Sequence, residues 1–205
     1  DKLGSDNAKF LIKSNDDTIF LTSSIIKEVY DNQIWNLAVR VKPKNYPFNG
    51  TTGISTTPEY EFEFYGVTHD FDIVRSEFTV TKSLSFISGS SFLCNPKRVY
   101  AGAHFQNFTG SLLKKTDIKI SSVRGYMDYV EDSTIKQHNL DIKNYSSNDA
   151  LTPSSLFTNQ LTDKVIPSSE LLFLSWDFET VTGSNASGIF ITEDISSGST
   201  ATDQK

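Results

Sequence analysis

Residues 59–64 read Glu-Tyr-Glu-Phe-Glu-Phe, six positions of strict alternation between acid and aromatic. Successive side chains of a strand point to opposite faces, so this period sets Tyr60, Phe62 and Phe64 on one side and Glu59, Glu61 and Glu63 on the other. The same period runs through Trp35, Leu37, Val39 and Val41, with Asn36 and Arg40 on the other parity. It returns through Phe78, Val80, Leu84 and Phe86, with Glu77, Thr79, Thr81, Ser83 and Ser85 opposite. Lys82 falls on the apolar parity, which places it where a strand bends or reaches an edge. No sustained 3.6-residue apolar stripe occurs, and aromatics at 12% with one Met favour strands. The expected class is all-β, and 205 residues suffice for one sizeable sandwich.

The remaining stretches read as sheet, turn and loop. Residues 9–13 and 18–22 flank Ser14-Asn15-Asp16-Asp17 and predict a hairpin with a tight acidic turn. Residues 42–58 hold three of the six prolines and no apolar period, and so read as a long surface loop, a usual place for binding in a sandwich. Val99-Tyr100-Ala101-Gly102 predicts a short strand, followed by a loop over residues 104–110. Beyond Asp117, Ile118 and Ile120 share one parity and Val123 and Met127 the other, which predicts a bulge at Ser121-Ser122. Glu131-Asp132-Ser133 reads as the N-cap region of one short helix at Ile135 to His138, lying on a sheet edge. The predicted core comprises Trp35, Leu37, Val39, Phe62, Phe64, Phe78, Val80, Ile118, Ile120 and Val123, with Cys94 a small buried residue.

Three domain-level segments are expected: residues 1–145 as the sandwich, 146–170 as a Ser/Asn/Thr/Pro-rich linker or arm, and 171–205 as a strand segment. The strongly apolar run 171–178 must be buried on both faces and joined to a sheet, completing the sandwich or opening a following domain.

In order along the chain, Trp35-Asn36-Leu37-Ala38-Val39, Tyr65-Gly66, Tyr100-x-Gly102, Phe108-x-Gly110, Ile120-x-x-Val123-Arg124 and Val130-x-x-Ser133-x-Ile135 resemble the motifs of a laminin-G-like, concanavalin A-like jelly-roll domain. The resemblance covers about Phe10 to His138, and its wording from Gly102 onward is similar to domains of large structural proteins of marine bacteriophages. It implies an antiparallel jelly-roll β-sandwich with one short helix. It also implies a place on a virion or extracellular surface, as part of a larger assembly, with glycans or neighbouring subunits as partners. A chain beginning at Asp1 fits an excerpt or processed product.

A net charge of −6 without a basic block argues against a nucleic-acid surface, and no apolar run reaches the length of a membrane helix. The expected function is a non-enzymatic structural or binding module recognising carbohydrate or neighbouring subunits. Tyr46, Asn49, His104 and Asn107, in loops, are the candidate carbohydrate-binding residues. No cofactor is expected. Asn15, Asp16 and Asp17 offer oxygens to Ca2+, which the resembled family often binds in loops, yet three oxygens fall short of the six to eight a calcium ion takes. The alternative is a polysaccharide-cleaving enzyme of concanavalin A-like fold. Glu59, Glu61 and Glu63 would be its acidic row, since glycosidases flank the scissile bond with two carboxylates. Against it, the glutamates of a half-buried strand ordinarily face water. A third reading is a purely architectural protein–protein assembly segment. His69, His104 and His138 show no metal or triad spacing and read as loop or interface residues. Asn49, Asn107, Asn144 and Asn185 begin glycosylation triplets that count only along a eukaryotic secretory route.

Overall fold

The computed structural model describes residues 2–3, 6–14, 18–46, 59–96, 100, 103–106, 110–115, 118–144, 172–184, 190–194 and 196. These fall into two compact units. Unit 1 draws on Asp1–Asn95 and Tyr129–Ile142, and unit 2 on Pro96–Asp128, Lys143–Ser147 and Leu151–Lys205. Among the described residues every paired strand is antiparallel, so the chain is β-rich as its alternation requires, with two short helices rather than one.

In unit 1, β1 (Lys2–Leu3) pairs with β2 (Asn7–Ala8), and β3 (Leu11–Lys13) with β4 (Phe20–Thr22). The second pair is the expected hairpin, and the acidic turn residues Asn15, Asp16 and Asp17 lie outside the described residues. A three-stranded meander follows: β5 (Trp35–Pro43), β6 (Tyr60–Asp70) and β7 (Ile73–Leu84), with β6 in the middle. Central placement explains why Phe62 through Thr68 are all buried, where an outer strand would alternate.

One face of this sheet is aromatic. Phe62, Phe64, Phe78 and Leu84 form a buried cluster with Ile19, Leu21 and Ile26, and Trp35, Val41, Val80 and Phe10 pack against it. The Phe78 ring stacks on Phe10 at 5.4 Å between centroids and meets Phe64 edge-on at 5.2 Å. Gly66 lies opposite Phe78, and its missing side chain is what lets that ring settle on the strand. Tyr65-Gly66, whose counterpart in the resembled family is a turn, is here mid-strand. Leu37 and Val39 keep the expected parity but lie on the edge strand and are 46% and 47% exposed, so they are not core. Lys82 does reach the hairpin, donating from Nζ to the Thr18 carbonyl at 2.7 Å.

The two-residue period that carried the strand through Phe86 stops at Leu84, and residues 86–94 instead form helix α1 (Phe86–Cys94). Ser85 caps it by accepting from the Ser88 N–H at 3.2 Å, and Asn95-Pro96 stops it. Gly89 is buried under the Tyr60 ring, and Phe92 meets Phe62 edge-on at 5.4 Å. Phe86 is therefore helical, and Cys94 is exposed rather than buried. Helix α2 (Asp132–Leu140) is longer than expected and packs on the face of β5 and β6, not at an edge. Nine residues are marginal alone. Burial of Thr134, Ile135 and His138 holds the helix, aided by the Asp132 charge in its first turn.

In unit 2, β8 (Ala103–Phe105) pairs with β9 (Leu112–Lys115), placing the strand a few residues beyond the predicted 99–102. The second sheet orders β10 (Ser122–Tyr126), β11 (Leu172–Ser184) and β12 (Phe190–Asp194), with β11 central. The apolar run beginning at residue 171 thus joins a sheet, pairing with β10 along Leu172–Asp177 and with β12 only at Trp176; Leu172 is buried, but Phe173 is 53% exposed, so the expected burial on both faces does not hold. The irregularity on β10 falls between Gly125 and Tyr126 instead of Ser121-Ser122. Ile118 is 61% exposed and outside the core, and Ile120 and Val123 are half-buried. The linker at 146–170 lies outside the described residues.

Candidate functional site

The sheet face opposite the aromatic cluster is charged, and the register dictates its pairs. Arg40 lies opposite Glu63 and Lys42 opposite Glu61, and just beyond the pairing Lys44 donates its backbone N–H to the Glu59 carbonyl at 2.9 Å. The acidic row therefore runs alongside a basic row on the neighbouring strand. Side-chain contacts follow: Arg40–Glu63 at 3.5 Å, Lys42–Glu61 at 3.5 Å, Lys42–Glu63 at 3.4 Å and Lys44–Glu59 at 2.6 Å.

Helix α2 and the residues before it then cover the inner end of this row. Arg40 donates to the Val130 carbonyl at 2.9 Å and pairs with Asp132 at 2.6 Å, with its guanidinium centre 4.8 Å from the Tyr129 ring and 5.1 Å from Tyr65. Tyr129 donates to Glu63 at 2.6 Å and accepts from Lys42 at 3.2 Å. Burial, reinforced by the bond to Glu63, pushes the Tyr129 phenol up to about 12. Burial next to the Glu77 charge likewise pushes Tyr65 up. At the rim, Lys136 reaches Glu77 at 2.7 Å and holds that carboxyl below its ordinary value. Buried charges survive only when paired and hydrogen-bonded, and this layer meets that condition for Glu63.

The acidic row is thus in a different environment from the solvated one expected. Glu63 is buried, Glu61 is half-buried, and Glu59 is exposed in its ion pair. Tyr46 turns back through its N–H to the Pro43 carbonyl and its ring lies tilted 5.6 Å from Tyr129, so its ring belongs to the charged layer. His104 lies in β8, not in a loop; Asn49 and Asn107 lie outside the described residues. His69 lies in β6, one residue before its end, and His138 is buried in α2, so neither is a loop residue. Asn144, first residue of a glycosylation triplet, is buried. Among the described residues, no three His, Cys, Asp or Glu side chains gather as a metal site, and no helix is long and apolar enough to cross a membrane.

A second site escaped the sequence reading. At one end of the meander a cleft of about 270 Å³ opens among Asn32, Gln33, His69, Asp70, Arg75 and Asn139. His69 Nδ1 donates to Asn139 Oδ1 at 2.6 Å, and Asn139 Nδ2 donates to the Ile34 carbonyl at 3.3 Å, tying the end of α2 to the sheet. Arg75 is engaged by Glu28 at 2.7 Å and Asp31 at 3.8 Å. Among the described non-glycine residues, positive φ occurs at Glu28 (58°), Asn32 (49°) and Phe71 (56°): Asn32 and Phe71 line the cleft and Glu28 holds its arginine. Asn tolerates this region; a bulky Phe pays on the order of 1–2 kcal/mol for it. Phe71, at the β6–β7 turn, is nonetheless 92% exposed and recovers none of that cost by burial. Asp70-Phe71-Asp72 carries no Gly or Asn to mark such a turn in the sequence.

Fold and site together define an antiparallel, β-rich protein with an internally neutralised charged layer and a polar cleft. No protein-family model, curated protein or solved structure matches the chain.

Proposed function

We propose that the chain is a non-enzymatic structural or binding module of a larger virion or surface protein, built as a laminin-G-like jelly-roll sandwich and recognising carbohydrate. The observation that carries the non-enzymatic part is the pairing of the acidic row. Glu59, Glu61 and Glu63 each have a cation within 3.5 Å, and Glu63 also accepts from Tyr129. A glycosidase needs one carboxyl poised as an acid with its pKa raised and a second facing the sugar. Here Glu63 is shut in beneath Tyr129 while Glu59 and Glu61 are each held by a lysine, so no two carboxylates are left free to flank a glycosidic bond. The order of the motifs between Trp35 and Ile135 supports the jelly-roll part, as does antiparallel pairing throughout.

The test is reducing-end release from a panel of polysaccharides, alongside equilibrium binding of the corresponding oligosaccharides. Binding without release is expected. Release by the wild-type chain that disappears in Glu61→Gln would reverse the assignment in favour of the polysaccharide-cleaving enzyme.

One observation favours recognition of neighbouring subunits as a second reading. The outer edge of β5 is unpaired among the described residues, and Leu37 and Val39 are about half exposed on it. Edge strands of this kind add strands from partners.

A further inference from the structure

We propose that the cleft at the β6–β7 turn holds one ring of a neutral sugar chain, with Phe71 as the platform on which that ring stacks. The inference rests on the carbohydrate part of the reading above and assigns it a place.

The chemistry of the lining selects the ligand by elimination. A metal ion is disfavoured because no three ligating carboxylate, imidazole or thiolate groups gather among the described residues. An anion is disfavoured as well. Arg75, the cation of the cleft, is already held by Glu28 and Asp31, and Asp70 adds a further negative charge. A wholly apolar guest would find Ile34, Phe71 and Leu140 but would also bury the amides and carboxylate of Asn32, Gln33 and Asp70 without partners, whereas an amphiphilic ring serves both.

A pyranose meets each group with a counterpart. Its hydroxyls both donate and accept, as do the amides of Asn32 and Gln33 beside the acceptor Asp70. Among the described residues these three side chains have no hydrogen-bond or ion-pair partner of their own. Asn139 and His69, by contrast, are fixed to each other and to the Ile34 carbonyl, so the back wall is set before a ligand arrives.

The ring's apolar C–H face then needs a flat apolar surface, and Phe71 presents one at the rim, 92% exposed. A left-handed backbone at an exposed aromatic weakens the fold, and the fold recovers nothing from it in packing. Strain retained without structural return is a mark of function. At about 270 Å³ the cleft falls below the range of drug-sized pockets, so it takes a single ring while the rest of the chain runs out over the rim.

Titration of the full chain with cellopentaose, maltopentaose, xylopentaose and chitopentaose, followed by heteronuclear NMR, tests this. At least one oligosaccharide is expected to shift the side-chain amides of Asn32 and Gln33 and the backbone amide of Phe71. Phe71→Gly removes the platform and the strain together, so it should weaken that binding tenfold or more while raising the denaturation midpoint. A folded Phe71→Gly protein of unchanged affinity overturns the proposal. Binding whose shifts fall elsewhere also overturns the cleft yet leaves carbohydrate recognition standing. No binding by any of the four sinks both.

Discussion

Arg40 has 5% of its side-chain surface exposed and lies between two tyrosine rings, with Glu63 and Asp132 as its counter-charges. A cation so placed depends on its partners, because removing one leaves charge in a medium that solvates it poorly. Glu63→Gln should therefore cost about 3 kcal/mol in equilibrium denaturation. Glu59→Gln, which breaks an ion pair whose members are both about half exposed, should cost under about 1 kcal/mol. Equal losses at the two sites would mean that the covering helix does not shield the layer. Alternation alone assigned Glu59, Glu61 and Glu63 to one face. It did not reveal that Glu63 is dry, because the cover comes from Tyr129 and α2, more than sixty residues further on. Phe71 was equally hidden: its exposure and its φ are properties of a turn whose type the letters Asp-Phe-Asp do not announce.

At the level of elements, β6 is fixed from both sides. A Cβ added at Gly66 would run into the Phe78 ring and come within 2.9 Å of Leu37 Cδ2. Phe10, Trp35 and Phe64 hold Phe78 in place, so the ring has little room to yield. Gly66→Ala is expected to lower stability by about 1–3 kcal/mol, the usual range for overpacking. Adding Phe78→Leu should restore part of the loss, a coupling measurable by a double-mutant cycle. β5, β6 and β7 were legible because their two-residue period is strong over many residues. α1 was not, since Ser and Gly dominate its first turns; the clues were Ser85 at the cap, Gly89 and Phe92 three apart, and Pro96 at the stop. Leu37 and Val39 show a further limit of pattern. Parity gives the face, but whether that face is covered at the edge depends on how far the β3–β4 hairpin reaches.

Across the whole molecule, each unit carries one of the two tryptophans: Trp35 in unit 1 and Trp176 in unit 2. Two units that are each compact by themselves can melt separately. With Trp35→Phe, fluorescence reports unit 2, and with Trp176→Phe it reports unit 1; the two midpoints are expected to differ. Coincident transitions would make the chain a single cooperative body. The division itself was not legible, because residues 129–142 rejoin the first unit after the chain has left it, and no local composition marks such a return.

That return constrains how the protein is made. A ribosome releases the chain from its N-terminal end, so residues 1–95 emerge with Arg40, Lys42 and Glu63 on a sheet face that has nothing over it. The covering segment arrives only after residues 96–128 have followed. Until then Arg40 and Glu63 lack the partners that Asp132 and Tyr129 give them, so the inner end of the ladder can close only once residues 129–142 have been made.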